Sequence, residues 1–263
     1  GPDDLGVAVL GGGAVGLGHN RLSIIDLSEA GHQPMTNGDG RLTIVFNGEV
    51  YNYLELKQEL SGYRFRGDSD TEVVLAAYER WGEACLEHFV GMFAFAIWDA
   101  GKKHLFCARD RLGVKPFHYA CHGGRFLFAS EVKALLAAGI PAEPDEKSWA
   151  LYLAHGVYEL PGRSFFKGVK ALPPAHAMTV AADGALKQWR YWDLAERAAE
   201  PFNADDDAAA DEVRALLEDS VRLRLRADVP VGVMLSGGLD SAAVMTTVDR
   251  LLPQGGEIET FTG

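Results

Sequence analysis

Hydrophobic and polar positions change period several times along the chain, and the changes divide it into two kinds of sequence. From residue 17 to residue 193 short alternating or continuous apolar runs dominate. LGHNRLSIID (17–26) and RLTIVFNGEV (41–50) read as strands, separated by AGHQPMTNGDG with its Gly, Pro and Asn-Gly turn signals. YLELKQELSG (53–62) carries leucines at helical spacing, with Gly62 as its stop. SDTEVVLAAYERWG (69–82) predicts a helix capped by Ser69 or Asp70 and closed by Gly82. GMFAFAIWD (91–99), HLFCARD (104–110), FHYACHGG (117–124) and RFLFAS (125–130) predict an antiparallel meander with tight turns at Ala100-Gly101 and Gly123-Gly124. EVKALLAAG (131–139) and the Trp149–His155 region read as helices, and ALPPAHAMTV (171–180) with ALKQWRYWD (185–193) as a closing hairpin.

The second kind of sequence follows a break. Residues 194–210, LAERAAEPFNADDDAAA, are acidic, Ala-rich and aperiodic, which predicts a linker. DEVRALLEDSVRLRLRA (211–227) has leucines and valines at amphipathic-helix spacing. VPVGVML (229–235) is the apolar, β-branched run of a buried parallel strand, AAVMTTVDRLL (242–252) is helical, and GEIETFTG (256–263) looks like a second parallel strand. The expected organisation is therefore a β-rich domain over 1–193, a linker over 194–210, and the start of an α/β domain over 211–263.

Composition narrows the classes. The 263 residues are 48% hydrophobic, enough for one large domain or two modest ones, and carry a formal charge of −12. That balance lacks the basic footprint of a nucleic-acid binder. No apolar run has transmembrane length and no signal peptide opens the chain, so a soluble cytoplasmic enzyme without a membrane partner is expected. The three cysteines, Cys85, Cys107 and Cys121, lack metal-ligand spacing, as do His19, His32, His104 and His118, and suit a reducing compartment. The start at Gly1-Pro-Asp-Asp4, without methionine, and the abrupt end predict that this is a segment of a longer protein.

Two stretches carry candidate chemistry. SGGLDS (236–241) joins an apolar strand to a helix. Its glycines let the backbone approach a ligand, and the new helix points free N–H groups at an anion. Ser236 and Ser241 add hydroxyls, and Asp240 offers a carboxylate for a metal ion or a protonated group. No lysine follows the glycines, so this is not the GxxxxGK[ST] loop. The stretch resembles the PP-loop of the ATP pyrophosphatases; a plain Ser-Gly-Gly turn is the alternative. The second stretch is FNGEVYN (46–52). Asn47-Gly48 offers a side-chain amide beside an unhindered backbone N–H, a ready oxyanion hole, and equally the commonest kind of turn. Glu49 follows directly. Arg21 suits a carboxylate fork or a structural role, and Asp70 an ammonium or a helix cap.

Taken together, GPDD, GLGHNRLSIIDL, GHQPM, VFNGEVYNY, SDTEVVLAAYERWG, GMFAFAIWD, ARDRLGVKPFHYA and FASEVKALL resemble the glutaminase domain of the glutamine-hydrolysing asparagine synthetases. LRLRADVPVGVMLSGGLDS resembles the start of their synthetase domain. The resemblance runs in order over nearly the whole chain, except 194–210. It implies an N-terminal-nucleophile αββα sandwich of antiparallel sheets joined to a PP-loop α/β domain. The implied activity is hydrolysis of glutamine, with ammonia passed to an aspartate activated by ATP as β-aspartyl-AMP. Asn47 and the Gly48 N–H would form the oxyanion hole. Arg21 would bind the glutamine α-carboxylate, with Glu49 and Asp70 on its α-ammonium. Leu235, Ser236, Gly237, Gly238, Asp240 and Ser241 would hold ATP, with magnesium at Asp240, and the family allows a homodimer. Arg109, Asp110 and Lys115 are expected to form a bracing charge network without chemistry of their own.

One departure is serious. The family's nucleophile is an N-terminal cysteine assisted by its own α-amino group, and no cysteine opens this sequence. Cys85, Cys107 and Cys121 lie in the wrong motifs to replace it. Three functions follow: asparagine or another amide made from glutamine; a cyclising synthetase like the β-lactam synthetases, with an inactive glutaminase domain; or a non-catalytic sensor of glutamine or nucleotide. Retention of Arg21, Asn47, Gly48 and Asp70 argues against the second, and an intact SGGLDS against the third.

Overall fold

The chain opens with an antiparallel hairpin of β1 (Asp4–Leu10) and β2 (Val15–Arg21), in a computed structural model that describes residues 2–158, 160–199, 203, 205–253 and 256–262. β3 (Met35–Thr36) and β4 (Leu42–Val50) come next, then α1 (Tyr53–Glu59), α2 (Asp70–Trp81) and α3 (Cys85–His88). β5 (Gly91–Asp99), β6 (His104–Arg109), β7 (His118–His122) and β8 (Arg125–Ala129) precede α4 (Val132–Ala137) and α5 (Glu146–His155). β9 (Lys170–Ala171), β10 (His176–Ala181) and β11 (Leu186–Arg190) complete the first part. A six-stranded antiparallel sheet runs β11-β10-β6-β5-β4-β3, and a smaller one runs β8-β7-β9.

Side-chain alternation stacks these sheets. Leu42, Ile44 and Phe46 of β4 and Phe93, Phe95 and Ile97 of β5 face α1, α2 and α3 in one core. Their neighbours Val45, Ala94, Ala96 and Trp98 turn the other way and meet Leu17, Phe117 and Tyr119 from β2 and the smaller sheet's side. A third cluster, Ala120, Leu135, Ile140 and Val169, packs α4 under the smaller sheet. Helices, sheet, sheet and helix thus form four layers, as the resemblance implies.

Several boundaries differ from expectation, each for a local reason. The strand predicted over 17–26 ends at Arg21, because the Arg21 side chain folds back onto the carbonyls of the next residues. The predicted single meander is two: β5 and β6 belong to the large sheet, β7 and β8 to the small one. What separates them is the loop 110–116, wound around Asp110, whose carboxylate accepts N–H bonds from Phe93, Leu112, Val114 and Lys115. Residues 53–62 stop being helical at Glu59, with Leu60 rather than Gly62 as the cap.

The stretch predicted as a linker holds structure. α6 (Leu194–Ala198) begins at Asp193, which accepts the Ala195 N–H, and α7 (Asp206–Arg224) begins at Asp205, which accepts the Ala208 N–H. Those acids are helix caps rather than solvating charges. Residues 200–202 and 204 lie outside the described residues. Beyond α7, β12 (Gly232–Met234) is shorter than VPVGVML suggests, and only Val233 of it is buried. It pairs in parallel with β13 (Glu259–Phe261), as predicted. α8 (Leu239–Leu251) starts inside SGGLDS, three residues before the predicted helix.

Candidate active site

Arg21 closes β2 and is 7% exposed. Its Nη2 donates to the carbonyls of Ile25 (3.0 Å) and Asp26 (2.6 Å), and its Nη1 to that of Ser28 (3.3 Å). Three of the guanidinium's five N–H groups are therefore committed, leaving one on Nε and one on Nη1 for a ligand. The expected free fork is thus partly occupied. The side chain lies directly on Gly31, where a Cβ would stand 2.0 Å from Nη2; this is the physical need behind the glycine of GHQPM. Asp26, which Arg21 grips, sits at φ +57°, an uncommon conformation for a residue with a side chain. Its carboxylate accepts from the Ser28 N–H and hydroxyl and from the Asp68 N–H.

Asn47-Gly48 is not a turn. Both residues lie inside β4, opposite Ala94 and Phe93. Phe93 accepts the Asp110 N–H at its carbonyl and donates its own N–H to the Asp110 carboxylate, so its backbone polar groups face β6. Antiparallel alternation then turns the N–H of Gly48 away from β5, toward the open edge of β4 beyond the short β3. Neighbours of the same parity show what that edge offers: Phe46 N–H goes to Gln33 Oε1 (2.7 Å) and Val50 N–H to Asp70 Oδ2 (2.9 Å). Gly48 is held at φ +146°, and a Cβ there would lie 2.1 Å from the Met92 carbonyl oxygen. Only glycine fits. Asn47 projects its amide to Ser130 Oγ at 3.2 Å.

Asp70 does not cap α2. Ser69 does, accepting the Thr71 N–H, which leaves the Asp70 carboxylate for the Val50 N–H. Asp70 is 5% exposed, and burial pushes its pKa up to about 7. The Val50 hydrogen bond pulls the other way, while the charge of Glu49 adds to the rise. Burial also raises Glu49, opposed by Lys115. Two acids thus share a site whose burial disfavours their charge.

These side chains meet. Arg21, Asn47, Gly48, Glu49, Asp70 and Lys115 line one cleft of about 750 Å³ between the two sheets. Phe117, Phe126 and Phe128 form part of its apolar wall. Lys115 was expected only as a brace. Arg109 and Asp110 do brace: Arg109 donates to the carbonyls of Lys115, Gly113 and Leu172, and this aims the lysine's loop at the cleft. The lysine in ARDRLGVKP was the available signal, but the acid whose charge it opposes is Glu49, far away in sequence. Ser130 and Gln33 were missed for the same reason. No cysteine lines the cleft. Cys85 and Cys107 are buried, with thiols pushed far up by burial, and Cys121 is exposed on β7.

The second candidate site is the loop from β12 to α8. Gly237 takes φ +76°, and Gly238 precedes the helix without a side-chain cap, so the first-turn N–H groups keep their donor capacity. Ser241 Oγ accepts from Ser236 N (3.2 Å), pairs with Ser236 Oγ (3.0 Å) and donates to the Gly238 carbonyl (3.1 Å), which fixes the loop's curve. Leu235 N–H bonds to Phe261 O, tying the loop's start to β13. Asp240 is exposed in the first turn, and among the described residues no cluster of three metal-ligating side chains exists. No helix of the described residues is long and apolar enough to cross a membrane.

Comparison with known proteins places the chain in a family. Residues 1–192 match the family described as glutamine amidotransferase domain, and residues 212–263 match asparagine synthase. The glutamine-hydrolyzing asparagine synthetase 3 of Bacillus subtilis is 47% identical over 251 residues, covering 93% of this chain and 39% of that protein. Amidase chry2 of Gibberella zeae is 38% identical over 266 residues, covering 100% of this chain and 39% of that protein. The chain spans under half the length of these relatives. A solved structure of "the allosteric regulatory enzyme of purine biosynthesis" shares the fold, at TM-score 0.50 and 19% identity over 94% of this chain and 51% of that one. The chain therefore belongs to the glutamine amidotransferase domain family, with the N-terminal-nucleophile αββα fold, and continues into an asparagine synthase segment.

Proposed function

We propose that the full-length protein is an ATP-dependent, cytoplasmic glutamine amidotransferase of the asparagine synthetase type. It hydrolyses glutamine to glutamate and ammonia, and joins that ammonia to aspartate activated as β-aspartyl-AMP, giving asparagine, AMP and pyrophosphate. The observation that carries this reading is the meeting of Arg21, Asn47, Gly48, Glu49 and Asp70, spread over fifty residues of sequence, in one cleft.

The parts have complementary roles. Arg21 offers its two remaining N–H groups to the glutamine α-carboxylate. Glu49 and Asp70 receive the α-ammonium, and that cation offsets the burial that raises Asp70, so substrate binding favours its ionised form. The Asn47 amide and the Gly48 N–H donate to the oxyanion when a thiolate adds to the side-chain carbonyl. Cys85, Cys107 and Cys121 stand apart from the cleft, so this reading requires a thiolate that none of them supplies. In the second site the uncapped N–H groups of α8, with Ser236 and Ser241, suit the pyrophosphate of ATP. Asp240 is the residue that would hold magnesium, which would offset the charge of the ATP phosphates.

A second reading keeps the glutaminase and changes the acceptor. It is favoured by the relatives named amidases, chry2 and, at 40% identity, chyE of Penicillium rubens. Exchange of labelled pyrophosphate into ATP, measured with aspartate present, separates these readings and tests the nucleotide loop. Asp240→Asn is expected to slow aspartate-dependent exchange by roughly tenfold or more, because the metal–phosphate charge loses its carboxylate. Glutamine hydrolysis should persist. Unchanged exchange removes Asp240 from the site, and exchange that ignores aspartate removes aspartate as the acceptor.

A further inference from the structure

The stretch LRLRADVP (223–230), which carries no role in either site, fastens the synthetase segment to two stretches that each adjoin residues lining the glutamine cleft. At the first stretch, Asp228 makes a two-point clamp. Its carboxylate accepts the Asp26 N–H at 2.7 Å, and its own N–H donates to the Ile24 carbonyl at 2.9 Å. The segment so clamped, 24–26, is the one whose next carbonyls, Ile25 and Asp26, hold Arg21. At the second stretch, Arg226 donates through Nη1 to the Tyr51 carbonyl (2.6 Å) and to Glu55 (2.6 Å), and through Nη2 again to Glu55 (2.5 Å). The guanidinium of Arg224 stands 4.7 Å over the Tyr51 ring. Tyr51 lies two residues beyond Glu49, in the FNGEVYN stretch that carries the oxyanion donors.

We infer that Asp228, with Arg226 beside it, is a positioning residue for the glutamine site: from the synthetase segment it sets where Arg21 stands relative to Glu49 and Asp70. Asp26 explains why an outside clamp is needed. Its backbone is in the left-handed region at φ +57°, a conformation that persists only where surrounding bonds fix it. Arg21 holds its carbonyl, Asp228 its N–H, and its own carboxylate holds Ser28 and Asp68. Remove the Asp228 carboxylate and the N–H side of that residue is released, while the Arg21 donors follow the carbonyls they grip. Because β12 begins four residues after Asp228, the clamp also places the nucleotide strand and the glutamine cleft on one short connection.

This inference rests on the reading of the cleft as a glutamine site, and the test separates the two. In the full-length enzyme, glutamine hydrolysis and ammonia-driven synthesis are compared for wild type, Asp228→Ala, Asp228→Asn and, as a control on α7, Asp211→Ala. Asp228→Ala is expected to raise the glutamine KM roughly fivefold with kcat changed less than about twofold, the effect of losing one ordinary hydrogen bond. The ammonia KM should not move. Asp228→Asn keeps an acceptor oxygen and should restore most of the affinity, and Asp211→Ala should match wild type. An unchanged glutamine KM in Asp228→Ala, with an active wild type, overturns the clamp alone. Parallel losses with glutamine and with ammonia also overturn it, by showing a general folding role. A wild type that releases no glutamate from glutamine overturns the glutamine reading and the clamp together. Should Asp228→Ala not fold, Arg226→Lys carries the same decision, since the lysine keeps the charge but not the two-nitrogen grip on Tyr51 and Glu55.

Discussion

Asn47→Ala is expected to lower the kcat of glutamine hydrolysis by roughly a hundredfold to a thousandfold, with little change in KM. The argument is geometric. Asn47 and Gly48 stand in the middle of a paired strand, so their donors are held by the β4–β5 ladder rather than by a mobile turn. Donors fixed in advance act on charge as it develops, and the ground-state carbonyl has little of it. The backbone N–H of Gly48 survives the substitution and accounts for the residual rate. Synthesis driven by ammonia bypasses the oxyanion and should be unaffected. Steady-state kinetics with both nitrogen donors checks this, and a rise in KM at constant kcat would reassign Asn47 to ground-state binding.

Asp70→Asn should make the folded protein relatively more stable as the pH rises. Asp70 is raised to about 7 in the fold, from about 4 in an unfolded chain. Below pH about 4 both states hold the proton, and Asp70 adds no pH dependence. Between those two values the unfolded chain has released the proton and the folded one still binds it, so stability falls with rising pH through that window. Above pH 7 the loss is complete. The asparagine variant does not titrate, and other groups cancel in the comparison. Its stability relative to wild type should therefore grow between pH 4 and pH 8 by an amount on the order of 4 kcal/mol. Urea midpoints of both proteins at the two pH values measure it. A relative stability that does not change with pH would show that Asp70 is ionised in the fold throughout that range. The same variant should bind glutamine poorly, because the site's cost in stability is what leaves a carboxylate unpaired for an incoming ammonium.

Much of the fold was legible because its elements obey local rules. The alternation of β4 and β5 sorts Leu42, Ile44 and Phe46 from Val45 in sequence as it does in space. Where the prediction failed, the deciding contact was distant. Nothing near Gly48 announces the Met92 carbonyl that forbids a side chain there, and Asn47-Gly48 looks like a turn until its partner strand is known. Gly31 is explained only by the guanidinium lying on it. The choice between Asp70 and Ser69 as cap could not be made locally, since both suit the position. It is Val50, twenty residues upstream, that takes Asp70. The acids of 194–210 misled for the opposite reason: a charge-rich composition masked the single cap Asp205, and Asp193 just ahead of the stretch went unread as the other. The break between β6 and β7 is likewise invisible in turn signals, because it depends on Asp110 gathering N–H groups from two segments.

The central claim is that one protein moves glutamine's amide nitrogen to a carboxylate activated by ATP. Full-length enzyme supplied with amide-labelled glutamine, ATP, magnesium and aspartate tests it most directly, with labelled asparagine and AMP quantified together by mass spectrometry. The account predicts labelled asparagine and AMP in equal amounts, with no AMP formed when aspartate is left out. Label found only in free ammonia, or AMP formed without any labelled amide, would contradict it.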